Sequence, residues 1–138
     1  MKTSASSRKK LADKPKKLPE QAIHLLCWQW ATREHPDLLI FHVANERKGS
    51  VGMALHFKRM GVLPGVADFL AFPTGALRAA IEIKDADGKQ SPAQRDFERR
   101  WVAAGGFYFL VRSLEEFQGI VNAITFRTGT RTTSQRQS

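Results

Sequence analysis

Apolar positions along the chain recur with two periods, one helical and one of strands. Leu18-Pro19 opens a helix expected to run to about Arg33, with proline tolerated in the first turn. Ile23, Leu26, Cys27 and Trp30 share its apolar side. Pro36-Asp37 breaks the pattern, and 38–43 reads as a first strand. A polar loop over 45–49 leads into a short helix over 52–60 that ends at Gly61. After the turn-rich stretch 62–65 come two apolar runs, 66–72 and 78–84, joined by a five-residue connection centred on Gly75. That spacing predicts an antiparallel hairpin. Ser91-Pro92 starts a strong helix to about Ala104, Gly105-Gly106 stops it, and 107–111 reads as a buried strand. Ser113 and Glu116 form a capping-box pattern for a last helix that turns Leu114, Phe117, Ile120, Val121 and Ile124 inward. The order predicts an α/β layer structure with a mixed sheet.

Charge changes this picture at the ends. The chain carries a net charge of +9 over 138 residues. Residues 1–17 hold seven Lys/Arg against one Asp, and 125–138 hold three Arg, so the middle is neutral. The sequence therefore divides into a basic tail (1–17), one folded domain (18–124) and a second basic tail (125–138), both tails being expected to be disordered. Such tails attract phosphate backbones without reading sequence, and they also serve as simple solubilising ends. No apolar stretch is long enough to span a bilayer, and no apolar segment follows the basic N-terminus. Cys27 is the only cysteine. That excludes an internal disulfide, suits a reducing cytoplasm, and fits a core position on the first helix.

The chemistry lies inside the two central runs. Asp68 sits in Ala67-Asp68-Phe69, and Glu82 and Lys84 sit in Ile81-Glu82-Ile83-Lys84. Carboxylates within apolar strands are costly to bury unless something pairs with them. If the hairpin is symmetric about Gly75, residues whose numbers sum to 150 face each other, and Asp68 falls opposite Glu82. Like charges there destabilise a sheet pair unless a cation reverses the sign. Lys84, two residues past Glu82, points to the same side. Two carboxylates and an ammonium suit metal-assisted phosphodiester hydrolysis. The plainer alternative makes Asp68 a turn residue and Glu82 and Lys84 solvated.

Three further residues point the same way. Glu20 lies on the face of Ile23, Cys27 and Trp30, where it is either a site residue or a first-turn glutamate favoured by the helix dipole. Gln94 precedes Phe97 and Trp101 by 3 and 7 residues, and is either a site residue or the third position of a Ser91 capping box. His42, with Asn45 and Glu46, ends the first strand and can reach a phosphate or a metal-bound water, or serve structure alone.

With these residues in place the chain resembles the virus-type replication–repair nuclease (VRR-NUC) domain, a branch of the PD-(D/E)XK, restriction-endonuclease-like superfamily. The resemblance covers roughly 18–118. It rests on Glu20, on His42 and Asn45, and on Gly61-x-x-x-Gly65-x-x-Asp68. Ile81-Glu82-Ile83-Lys84, Ser91-Pro92-Ala93-Gln94 and Val111-Arg112-Ser113 complete it. Ala67 stands where the motif has proline. The resemblance implies a restriction-endonuclease-like α/β core, a mixed sheet flanked by helices, and a magnesium- or manganese-dependent DNA endonuclease. Asp68, Glu82 and Glu20 would hold the metal, Lys84 would be the catalytic lysine, and Gln94 would support the site. It further implies a phage or prophage origin in a bacterial cytoplasm, and a homodimer acting on branched or double-stranded DNA such as four-way junctions. The neutral core leaves DNA contact to local residues: His42, Asn45, Lys58, Arg59, Lys89 and Arg95. A non-catalytic module that holds nucleic acid through its basic tails is the alternative.

Overall fold

The computed structural model of the chain describes residues 16–44 and 50–129. Eight elements follow in the order α1 (Glu20–Glu34), β1 (Leu39–His42), α2 (Val51–Arg59), β2 (Phe69–Phe72), β3 (Ala79–Ile83), α3 (Pro92–Ala103), β4 (Phe107–Val111) and α4 (Leu114–Gly129). The strands form one sheet in the order β1-β2-β3-β4, with two antiparallel pairings and a parallel β3–β4 pairing. A parallel neighbour requires a crossover, and α3 supplies it. Every element expected from the sequence is present, with its ends shifted by a few residues.

One sheet face carries the main core. Ile40, Phe69, Ala71, Ala79, Ile81 and Ile83 pack against α1 and α4 there. Helix α1 contributes a narrow stripe, Ile23, Cys27 and Ala31, at successive spacings of four. Leu26, expected on that stripe, stays 39% exposed because it falls to one side of the seam. Cys27 is fully buried as expected, and burial pushes its thiol up to about 12, so it is an inert core group. On the other face α3 covers β3 and β4, with Phe97 buried against Ala67 and Ala80 beside Trp101 and Tyr108. Two layers thus meet at the sheet end where β2 begins and β3 finishes.

Two expectations need correction. Helix α4 continues to Gly129, so 125–129 are not the start of a disordered tail. Within it Thr125 Oγ1 donates back to the Val121 carbonyl at 2.7 Å, which satisfies the hydroxyl inside the helix. The rest of the expected tails, 1–15 and 130–138, lies outside the described residues. The Ser113 box forms only in half. Ser113 Oγ accepts from Glu116 N–H, whereas the Glu116 carboxylate accepts from Arg112 N–H, one residue earlier than the motif requires.

Candidate active site

The hairpin register is the expected one: Phe69 faces Ile81, Leu70 faces Ala80 and Ala71 faces Ala79. Asp68 and Glu82 adjoin the first of these pairs, Phe69 and Ile81, so continuing the ladder sets them opposite each other. Asp68 Oδ2 accepts the Ile83 N–H at 2.7 Å, which fixes the carboxylate over the end of β3. The Asp68 carbonyl accepts from Val43 N–H at 2.9 Å and lies 2.7 Å from His42 Nδ1, which ties β1 to the same point.

Glu82 is 2% exposed. Its Oε1 accepts from Gln94 Nε2 at 2.7 Å and lies 3.5 Å from Lys84 Nζ. Its Oε2 is buried and has no hydrogen-bond partner among the described residues. A buried carboxylate oxygen without a partner is costly, so this atom marks a place where another group belongs. Burial first, then the nearby Asp68 carboxylate, pushes the Glu82 carboxyl up to about 8, while Lys84 opposes the shift. The Glu20 carboxyl is raised too, again chiefly by burial, with Lys84 lowering it and Asp68 and Asp85 raising it. Glu20 therefore lies within electrostatic reach of the same group, carried there by the first turn of α1.

Gln94 answers both of its sequence readings at once. Its Oε1 accepts the Ser91 N–H at 2.8 Å and completes a capping box at the start of α3, while its Nε2 holds Glu82. Only a side chain with an acceptor and a donor on one amide does both. The close seat of α3 depends on Gly65, which has φ +75°; a Cβ there would overlap the Ala93 carbonyl. Lys84 is 8% exposed, and its N–H bonds to the Val111 carbonyl, extending the β3–β4 ladder by one step. The loop that follows is braced by Arg112, which donates to the Asp85 and Gly88 carbonyls at 2.6 and 2.8 Å.

The structure thus brings Asp68, Glu82, Lys84, Glu20, Gln94 and His42 to one end of the sheet. Lys58 and Arg59 lie exposed on α2, Lys89 is exposed in the loop after β3, and Arg95 spends one donor on the Gln90 carbonyl. Asn45 lies outside the described residues. Sequence reasoning passed over His24, four residues after Glu20 on α1, whose Nδ1 lies 4.0 Å from Asp68 Oδ1. The helical spacing of Glu20 and His24 was its one available signal.

The donor set suits a hard divalent cation. Asp68, Glu82 and Glu20 supply only oxygens, and the partnerless Glu82 Oε2 is one of them. Among the described residues no helix is long and apolar enough to cross a membrane.

No protein-family model matches the sequence, and no curated protein matches it. Among solved structures, a VRR_NUC domain protein matches with a TM-score of 0.62 at 23% identity, over 78% of this chain and 88% of that one. Another, described as a VRR_NUC domain, matches with a TM-score of 0.51 at 17% identity, over 75% of this chain and 94% of that one. The mixed four-stranded sheet with its flanking helices is therefore an α/β restriction-endonuclease-like fold, the one these VRR_NUC domain structures share.

Proposed function

We propose that this chain is a metal-dependent DNA endonuclease. The observation that carries the reading is the buried Glu82 carboxylate, with one oxygen lacking a partner, beside Asp68 and Lys84 in a fold shared with VRR_NUC domain structures. Asp68, Glu82 and Glu20 would hold a magnesium or manganese ion, and Lys84 and Gln94 would complete the site. The ion supplies polarisation of the phosphoryl oxygen and a more acidic water. Lys84 Nζ, held 3.5 Å from Glu82, orients the attacking water or faces charge developing on the phosphate. Gln94 keeps one Glu82 oxygen engaged, so the other stays turned to its task. His42, Asn45, Lys58, Arg59, Lys89 and Arg95 would steer the DNA backbone, aided by the basic tails.

The same reading extends to a homodimer acting on branched DNA. None of the α2 residues is buried, and Val51 and Met60 are 88% and 70% exposed. On the α3 side of the sheet Leu39, Phe41 and Phe72 are exposed as well. A second copy covering these surfaces would set two active sites on one substrate.

The test is a cleavage panel of supercoiled, linear, flapped and four-way-junction DNA. Cutting should appear with magnesium or manganese, vanish with EDTA, and vanish in Glu82→Ala and Lys84→Ala proteins that fold normally. Undiminished cutting by both variants overturns the mechanism. DNA binding without any cutting, lost when the tails are removed, would support the non-catalytic module instead.

A further inference from the structure

Asp68 also belongs to a cluster of imidazoles. His24 comes from α1 and His42 from the end of β1; their ring centroids lie 4.5 Å apart, with the planes close to perpendicular. One nitrogen of each ring and one carboxylate oxygen of Asp68 all lie within 4.8 Å of one another. Three donors from three separate elements have been gathered at one point.

The rings are held as ligands are held. His42 Nδ1 lies 2.7 Å from the Asp68 carbonyl oxygen, which can only accept, so Nδ1 carries the proton and Nε2 keeps its lone pair in the neutral ring. A ring nitrogen bonded to a backbone carbonyl is the usual way in which a metal-binding histidine is oriented. His24 is stacked on Phe69 at 4.4 Å, and its Nδ1 faces Asp68 Oδ1 at 4.0 Å. Asp68 itself is anchored through its other oxygen to the Ile83 N–H.

The donor types decide which ion. Imidazole nitrogens suit zinc, cobalt and their neighbours, whereas magnesium seeks oxygen. The all-oxygen set of Glu20, Asp68 and Glu82 and the nitrogen-rich set of His24, His42 and Asp68 therefore differ in preference while sharing one carboxylate. We infer that His24, His42 and Asp68 form a second cation site, selective for a nitrogen-seeking transition ion such as zinc. Three protein ligands leave a fourth position for water or a phosphate oxygen. The site shares Asp68 with the proposed nuclease centre, but its occupancy does not depend on that activity.

Calorimetric titration of zinc into the full chain at pH 7.5 tests the inference, with cobalt absorption as a second readout of nitrogen ligation. The wild type should take one ion, and His24→Ala, His42→Gln and Asp68→Asn should each weaken it by about tenfold or more. His56→Ala, a histidine on α2, should leave zinc binding unchanged. Zinc uptake that is absent in the wild type, or unaltered in both the His24 and His42 variants, overturns the site and reduces the cluster to an ion pair. Circular dichroism on each variant guards against misfolding. Loss of magnesium-dependent cutting is read separately, so failure of one reading leaves the other standing.

Discussion

Glu82 is the residue on which the proposed chemistry turns, and its protonation gives the clearest consequence. Its carboxyl is raised to about 8 in the fold, against 4.5 for an ordinary glutamate, chiefly by burial. The folded state then binds more protons than the unfolded state between those two values, so metal-free stability falls as pH rises through that window. Below it the group carries no penalty. Thermal melts in EDTA should show the wild type losing several degrees from about pH 5 to pH 8, while Glu82→Gln loses less, keeping only the dependence of other raised carboxyls such as Glu20, and is the more stable protein at pH 8. Parallel curves would contradict the burial argument. Gln94 separates two roles in one side chain. Gln94→Glu keeps an acceptor for the Ser91 N–H but sets a third carboxylate against Glu82, so the helix cap should survive while DNA cutting is lost. Gln94→Ala removes both bonds and should cost about 1–2 kcal/mol in a denaturant melt. Asp68 and Glu82 were legible from the sequence because a two-residue period and one loop length fix a hairpin register. His24 was not, because its role depends on where α1 lies against β1, which no local pattern records.

At the scale of elements, the site depends on α3 approaching the turn before β2. Gly65 makes that approach possible through its positive φ and the absence of a Cβ. Gly65→Ala should destabilise the fold by about 2 kcal/mol or more, read as a lower denaturant midpoint, and should also weaken cutting by displacing Gln94. An unchanged midpoint would show that the turn can move aside. The strands were legible because each apolar run was bounded by Gly, Pro or Asp. The end of α4 was not, because Thr125 and the residues after it lack the apolar spacing that marked the rest of the helix. Thr125 satisfies its hydroxyl within that turn by bonding back to the Val121 carbonyl, a local contact rather than a pattern. Helix α2 was legible as a helix, yet its lack of buried residues was not, since composition does not say which apolar face finds a partner.

At the scale of the molecule, the folded part is a sheet with one face roofed by α1 and α4 and the other roofed by α3 over β3 and β4 alone. The exposed apolar residues of α2 and of the β1–β2 corner are large for a surface with no partner. Light scattering during size exclusion should give about twice the chain's 15.5 kDa. Met60→Glu combined with Leu39→Glu should return it to one copy; a monomeric wild type would remove the dimer from the account. The proposed divalent cation would take up the Glu82 oxygen that lacks a partner among the described residues, beside Asp68. Titration of magnesium into the wild type, Glu82→Gln and Asp68→Ala at pH 8 measures this directly. Saturable binding in the wild type that disappears in both variants is the predicted result, and magnesium binding of equal strength in all three would contradict it.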